Sequence, residues 1–250
     1  MNIHEYLTLG RTLTPHDLVA VIFFLAAWMF YTRFAVWYGR RVPSLQGVLD
    51  RLRATWALRM VERDNRMVDV NIVRNLTRSS QFFASTSLLI LGALIALLGY
   101  VQRAADVIAE LPFAVEASHR LWDIKILLLV GVFVYAFFKF SWSIRQFGFC
   151  TILVGSVVKT PKEPQECAHD IAALSLLVSF ASGNFNQGLR SYYFGMAALS
   201  WFLHPWLMIA ATIWVVWVLY AREFRSRTLE VLSGGGIEIA SARESLRVWR

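Results

Sequence analysis

The chain has 250 residues, of which 57% are hydrophobic and 17% charged, and its mean hydropathy is +0.49. Average soluble domains contain about 25% charged residues, so a soluble protein of this composition would expose large apolar patches. The composition therefore excludes an ordinary soluble domain and favours an integral membrane protein. The net charge of +8 is typical of basic residues that flank membrane spans and contact anionic headgroups. We expect no nucleic-acid partner.

The first half of the chain predicts two spans separated by a basic connection. Residues 18–38 form an apolar run of membrane-spanning length, and Thr14 and Pro15 before it are suited to begin a helix. Residues 44–64 carry apolar side chains at helical spacing, which predicts an amphipathic helix. The second span is predicted over 80–101, as an unbroken continuation of a helix that begins in the basic connection.

The second half contains a long stretch without proline, residues 123–158. As a single helix this stretch would extend about 54 Å at ~1.5 Å per residue, whereas a bilayer core is only about 30 Å thick. It therefore predicts a third span, placed at 124–147, with an extension beyond the lipid. A helix over 166–181, a loop over 182–187 and a fourth span over 193–220 are predicted to follow.

These elements predict an all-α integral membrane protein with about four transmembrane helices, cytoplasmic extensions and amphipathic helices. One helical membrane domain covers 1–232, and a mobile tail covers 233–250. Nine arginines lie between residues 40 and 79, so the positive-inside rule places this connection in the cytoplasm of a multi-pass protein of the cell inner membrane. Four spans then put both termini outside, unless a re-entrant segment near 171–181 brings the tail inside.

Four short blocks combine charged, hydroxyl, amide and aromatic residues. Residues 59–69 read Arg-Met-Val-Glu-Arg-Asp-Asn-Arg-Met-Val-Asp, and 82–87 read Phe-Phe-Ala-Ser-Thr-Ser. Residues 139–146 read Lys-Phe-Ser-Trp-Ser-Ile-Arg-Gln, and 186–194 read Asn-Gln-Gly-Leu-Arg-Ser-Tyr-Tyr-Phe. In order and spacing, these blocks resemble the membrane family called domain of unknown function 599, over about residues 15–230. The resemblance implies a four-span bacterial or organellar membrane protein and no assigned activity.

Polar groups within the predicted spans are candidates for function because charged side chains are costly in lipid. On the long helix these groups begin about 22 Å from the point of entry, by helical rise, close to the cytoplasmic edge. Polar residues of the second and fourth spans fall at a similar depth, which predicts a polar path. The candidate residues are Ser85, Thr86, Ser87, Lys139, Ser141, Ser143, Arg145, Asn186 and Arg190. Snorkelling of the cations to lipid headgroups is the alternative.

Further candidates lie in the basic connection and in the fourth span. Contact with lipid or a partner is predicted for Arg51, Arg53, Arg59, Arg63, Arg66 and Asp69, with Arg66 and Asp69 at the spacing of a helical ion pair. His204 lies near the predicted midplane of the fourth span, and no second intramembrane histidine accompanies it. We therefore expect no metal site. Cys150 and Cys167 are predicted to be buried small side chains.

No motif for nucleophilic catalysis, phosphate binding or dinucleotide binding is present in the sequence, so we expect no catalytic residues and no cofactor. The leading hypothesis is a channel or transporter for small solutes, with anions favoured by the excess of cations, that works as a homo-oligomer. The alternative is a non-catalytic scaffold that binds anionic lipid or a cytoplasmic partner through its basic helices. An intramembrane enzyme that uses His204 or Asp69 as a base would need a second catalytic group. Expected partners are membrane lipids, further copies of the chain and a small solute.

Overall fold

The computed structural model describes residues 14–39, 41–100, 119–157 and 165–234. All regular structure in these residues is helical, which confirms the predicted all-α class. In chain order the helices are α1 (Pro15–Tyr38), α2 (Leu45–Val61), α3 (Met67–Leu98), α4 (His119–Ser156), α5 (Gln165–Leu199), α6 (Pro205–Phe224) and α7 (Arg227–Ser233), with a 3-10 turn over Ser200–Phe202. The predicted tail beyond Gly234 lies outside the described residues.

Hydroxyl side chains determine where the first two helices begin. The Thr14 side chain accepts a hydrogen bond from the Asp17 backbone N–H, and the Asp17 carboxylate accepts one from the Thr14 N–H. At the start of α2, Ser44 Oγ accepts from the Gly47 N–H at 3.1 Å. Both caps satisfy backbone donors that the first turn of a helix leaves unpaired. The predicted first span and amphipathic helix therefore begin close to the expected residues.

Helices α3 and α4 form a long antiparallel pair of 32 and 38 residues. At ~1.5 Å per residue they extend about 48 and 57 Å, well beyond the ~30 Å of a bilayer core. Ser80 of α3 lies against Ser143 of α4, with their hydroxyl oxygens 3.2 Å apart. The predicted long helix and the unbroken helix that enters the second span are both present.

The structure differs from the prediction over residues 165–220. Helix α5 continues through 182–187, where a loop was predicted, and the chain breaks instead at 200–204, inside the predicted fourth span 193–220. Pro205 accounts for the break because proline has no backbone N–H and disfavours helical geometry in the residue before it. The same fixed φ suits the first position of α6.

Helices α1 and α6 run parallel to each other. The rings of His16 and Trp206 lie 5.7 Å apart near the two starts, and those of Tyr38 and Phe224 lie 5.2 Å apart near the two ends. Helix α6 therefore ends at the end of the bundle where α1 also ends, which we call the basic end. The prediction that both termini lie on one side is wrong for the described residues, because α5 carries the chain across the bundle before α6 begins.

Four segments are long and apolar enough to cross a membrane. They are Pro15–Tyr38, Met67–Leu98, Arg120–Ser156 and Pro205–Ser233. Helix α5 is not one of them, but it lies between α4 and the α1–α6 pair, with Phe194 buried in their common core. A second core joins α2 to the parts of α3, α4 and α5 that extend past the basic end, around Met60, Val73 and Phe147. This arrangement makes α5 the central polar helix of an apolar bundle.

Candidate functional site

One face of α5 packs against α4, and two of the predicted polar residues, Lys139 and Ser143, form hydrogen bonds there. The buried Ser143 hydroxyl donates to the Ala181 carbonyl at 2.8 Å. The Asn184 side chain donates to Gln146 Oε1 at 2.8 Å and accepts from the Lys139 ammonium at 3.4 Å. These contacts join the two helices.

The hydroxyls predicted on α3 also bond within the protein or face outward. Ser87 lies 2.9 Å from the Tyr192 hydroxyl, and Thr86 donates to the Phe82 carbonyl at 2.8 Å. Ser85 is exposed on the surface of α3. The predicted polar residues therefore do not line one continuous path within the described chain.

Two further candidates on α4 also lie away from the helix interfaces. Arg145 is exposed, with its guanidinium 5.9 Å from the Phe149 ring, and Ser141 is half-buried. Gly148, on the same face as Arg145, has no other part of the chain within 4 Å of the position of an added Cβ. No other helix of the described chain therefore approaches Gly148 closely.

A pocket of about 170 Å³ lies at the basic end, on the face of α5 that points away from α4. We call it the basic-end pocket. Its walls come from α1, α2, α5 and α6 and consist of Tyr31, Leu45, Gln46, Leu49, Asn186, Leu189, Arg190, Tyr193, Leu219, Arg222 and Glu223. Two predicted site residues, Asn186 and Arg190, thus share a cavity.

Glu223 is the central polar group of this pocket. One of its carboxylate oxygens lies 3.6 Å from Arg190 Nη2, and only 13% of the arginine side chain and 16% of the glutamate side chain are exposed. The other oxygen accepts the backbone N–H of Gln46, in the first turn of α2, at 3.1 Å. The Gln46 side chain in turn accepts from Asn186 Nδ2 at 2.6 Å. Glu223 therefore connects α6 both to α5 and to the start of α2.

The lining of the basic-end pocket carries a net positive charge. Arg190 and Arg222 are its two cations, and Glu223 is its single anion. The Arg222 guanidinium donates to the Tyr193 hydroxyl, while that of Arg190 lies 5.5 Å from the Tyr31 ring. The amino end of α2 adds further positive potential through the helix dipole. The pocket is therefore suited to an anionic group.

The opposite end of the bundle contains a buried charge cluster that the sequence did not reveal. Asp17 accepts the Trp201 indole N–H at 2.8 Å through one carboxylate oxygen and the Thr14 hydroxyl at 2.6 Å through the other. Lys125 is only 4% exposed; its ammonium lies 5.4 Å from the Trp201 ring and is attracted by Asp17. A charge beside an apolar run was the only available signal, and it is also typical of an ordinary span boundary.

The basic connection holds the second core together. Asp69 is fully buried, and one of its oxygens accepts the Trp56 indole N–H at 2.8 Å and Arg63 Nη1 at 2.5 Å. Arg63 is therefore the cation that pairs with Asp69, whereas the sequence predicted Arg66 for this pair. Arg66 donates instead to the Val154 and Val157 carbonyls at 3.1 and 2.6 Å, at the end of α4.

The other arginines of this connection differ in their surroundings. Arg53 pairs with Asp50 on its own helix at 2.6 Å, whereas Arg51 and Arg59 are exposed. Exposed arginines at the predicted membrane surface are available to lipid headgroups or a partner. The structure therefore separates the six predicted contact residues into an internal group and a surface group.

His204 precedes α6 as its N-cap, and its ring nitrogen Nδ1 accepts the Trp206 N–H at 3.2 Å. It therefore lies at the start of the apolar segment Pro205–Ser233, and not near the middle of the fourth span as predicted. Cys150 is buried, as expected, whereas the side chain of Cys167 lies outside the description. Within the described residues, no three His, Cys, Asp or Glu side chains are grouped in a way that would hold a metal ion.

The fold and its four apolar segments define an all-α membrane protein with one polar helix at its centre. The chain matches the family described as "Protein of unknown function, DUF599" over residues 19–228. It therefore belongs to this family, as the resemblance indicated. No curated protein and no solved structure matches the chain.

Proposed function

We propose that the protein is a transporter of small anionic solutes in the cell inner membrane, and that it works as a homo-oligomer. The observation that supports this most is the charge of the basic-end pocket, whose lining contains two arginines, Arg190 and Arg222, and a single carboxylate, that of Glu223. Charged side chains at membrane depth are costly and commonly mark substrate pathways. An anion would neutralise the excess positive charge.

The packing beyond the pocket suggests how such a transporter would be closed. Phe24 and Phe194 are fully buried in the main core, with their ring centroids 5.9 Å apart, between the basic end and the opposite end. The described conformation corresponds to one in which the solute site opens toward the basic end. Transport then requires α5 to move relative to α1, as in carriers that expose a central site to one side at a time.

Flux through reconstituted liposomes tests this proposal. Chloride, acetate, benzoate and inorganic phosphate would each be offered to vesicles containing wild-type protein, Arg190→Gln or Arg145→Gln. We expect uptake of at least one anion and a loss of about tenfold or more for Arg190→Gln. Arg145→Gln is the matched control because this arginine is exposed on α4, away from the pocket. Uptake equal to that of protein-free vesicles for every anion would overturn the proposal.

A scaffold that binds anionic lipid is the second candidate, and a surface cleft favours it. This cleft has a volume of about 460 Å³, lies between the start of α2 and the end of α7, and includes Arg41 and Arg51 in its lining. The Arg41 guanidinium stacks 4.1 Å from the centroid of the Trp37 ring. Such a cleft suits a headgroup phosphate.

Native mass spectrometry of the purified protein tests the scaffold. Bound phosphatidylglycerol should be retained by the wild type and lost from a variant carrying Arg41→Glu and Arg51→Glu. Equal lipid retention by both proteins would count against this candidate. Loss of lipid with unchanged flux would show that the cleft and the pocket serve different roles.

A further inference from the structure

The basic-end pocket already contains a bound carboxylate, that of Glu223. One oxygen accepts the Gln46 backbone N–H at 3.1 Å, and the other lies 3.6 Å from Arg190 Nη2. A helix N-terminus and an arginine are the two donors that proteins most often present to carboxylates. Glu223 therefore occupies the position that the carboxylate of a ligand would prefer.

The rest of the lining limits the size and character of a ligand. Apart from its polar groups, the pocket is lined by four leucines and two tyrosines, namely Leu45, Leu49, Leu189, Leu219, Tyr31 and Tyr193. Its volume of about 170 Å³ is close to that of a ~150 Å³ cavity that accepts benzene and lies below the ~300 Å³ at which pockets for drug-sized ligands begin. The space therefore suits a compact molecule with one anionic group and a small apolar body.

We propose that the basic-end pocket binds small monocarboxylates and that the ligand displaces the Glu223 carboxylate from Arg190 and from the start of α2. This inference rests on the proposed function and specifies the solute and the group with which it competes. The lining contains two arginines and one glutamate, so its net charge of +1 attracts an anion, and displacement of Glu223 leaves Arg190 to pair with the ligand.

Displacement has a consequence for α2. Glu223 connects α6 to the first turn of α2, and the hydrogen bond between the Gln46 and Asn186 side chains is the neighbouring link to α5. When a ligand takes the place of Glu223, α2 loses its hydrogen bond to α6. Binding in the pocket is thereby transmitted to the helix that carries the exposed arginines Arg51 and Arg59.

Binding of benzoate to the protein in nanodiscs, measured calorimetrically, tests the displacement. Glu223→Gln keeps the shape of the side chain and removes the competing charge, so we expect benzoate to bind about tenfold more tightly than to the wild type. Glu230→Gln on α7 is the matched control because it makes the same change in net charge outside the pocket lining. It should leave the affinity unchanged.

Hydrogen exchange at the start of α2 gives a second measurement. Benzoate should leave exchange of the Gln46 amide nearly unchanged in the wild type, because the ligand carboxylate replaces Glu223 as its acceptor. In Glu223→Ala, which lacks this acceptor, the amide should exchange faster than in the wild type, and benzoate should slow it. If Glu223→Gln folds poorly, Glu223→Ala serves instead, and acetate should then raise its unfolding temperature more than that of the wild type.

The possible outcomes separate this inference from the proposed function. If the wild type binds benzoate and Glu223→Gln binds it no more tightly, the ligand does not displace Glu223. The proposed anion site would still be supported. If Glu223→Gln gains affinity for inorganic phosphate or for phosphatidylglycerol in the nanodisc, but not for benzoate, the ligand is a phosphate or a headgroup and the monocarboxylate class is wrong. If no anion binds either protein and no flux occurs, both proposals fail.

Discussion

Each end of the bundle buries a carboxylate beside a cation, and the two sites differ in what surrounds the acid. At the opposite end, both oxygens of Asp17 accept hydrogen bonds from neighbouring side chains, and Lys125 lies under the Trp201 ring. At the basic end, Glu223 meets Arg190 at 3.6 Å beside an open cavity. The chemistry is similar, and within the described part of the chain a cavity adjoins the Glu223 site.

The comparison shows that burial of charge does not by itself identify a binding site. A buried ion pair contributes little net stability, yet removing one partner is costly because the other is left uncompensated. Asp17 is fully bonded within the protein, so we assign it to the packing of α1 against the 3-10 turn. Glu223 lies 3.6 Å from Arg190 and lines the basic-end pocket, so we propose a role for it in anion binding.

Asp17→Ala should have the largest effect on stability. The substitution leaves the buried Trp201 indole N–H without its acceptor and removes the carboxylate that attracts the buried Lys125 ammonium, at an expected cost of about 3–5 kcal/mol. Thermal unfolding in detergent measures the loss. Glu62→Ala is the control, because Glu62 is exposed and should change stability by less than about 0.5 kcal/mol.

A double substitution sharpens the assignment of the Asp17 site. If the cost comes from an uncompensated cation, Asp17→Ala combined with Lys125→Met should be more stable than Asp17→Ala alone by about 1 kcal/mol or more. Strict additivity of the two changes would mean that Asp17 and Lys125 do not interact. The two ends would then have to be distinguished on other grounds.

Gly188→Ala should have the next largest effect, at the back of the basic-end pocket. A Cβ at this position would lie 2.6 Å from the Phe140 ring, and that ring is fully buried against Phe83, Phe185 and Tyr192. Overpacking of this kind costs about 1–3 kcal/mol. Because α5 must shift near Arg190, benzoate affinity should fall together with the unfolding temperature.

Gly183→Ala is a matched control on the same helix. A Cβ there meets nothing within 4 Å, and alanine is favoured over glycine in a helix by up to about 1 kcal/mol. This variant should therefore be as stable as the wild type or more so, with unchanged anion binding. A similar loss of stability in both variants would show that the contact with Phe140 is not the cause.

The sequence was sufficient to predict the helices whose signals are local. Thr14 and Pro15 before an apolar run, apolar side chains at helical spacing over 44–64 and a long apolar stretch without proline indicated α1, α2 and α4. Helix α5 was not predicted correctly, because Ser-Gly-Asn-Phe-Asn-Gln at 182–187 is typical of a loop. The helix is supported there by tertiary partners that a local pattern does not reveal, such as Gln146 for Asn184.

The same error affected the predicted site. Asn186 and Arg190 were predicted and lie in the pocket, but Lys139 and Ser143 were assigned to the same path. Residues two apart on a helix point about 200° apart, so Asn184 and Asn186 must face opposite neighbours once α5 is helical. Glu223 was not predicted because it lies in the last turn of α6, and charged residues are common wherever a membrane span ends.

Glu223→Gln should alter stability far less than Asp17→Ala does. The glutamine oxygen can still accept the Gln46 N–H, and the lost ion pair with Arg190 is long and adjoins an open cavity, so we expect a cost of about 1 kcal/mol. Thermal unfolding of the two variants, side by side, measures the difference. Equal losses would place Glu223 among the packing residues and remove the contrast between the two ends.

Ser85→Ala should have the smallest effect of all. Ser85 was predicted to line a polar path on α3, yet it is exposed on the outer surface of that helix. We expect no change in unfolding temperature and no change in anion flux. Ser143→Ala provides the comparison, because its buried hydroxyl donates to the Ala181 carbonyl and its loss should cost about 1–2 kcal/mol.

The outcome for Ser85 also tests where a solute travels. If Ser85→Ala reduced anion flux while Arg190→Gln did not, the route would run along the outer face of α3, between copies of the chain, and the basic-end pocket would be a static ion-pair site like that of Asp17. If only Arg190→Gln reduced flux, the route would pass through each chain, between α5 and the α1–α6 pair. Measuring both variants in one liposome preparation therefore decides which surface of the bundle carries the solute.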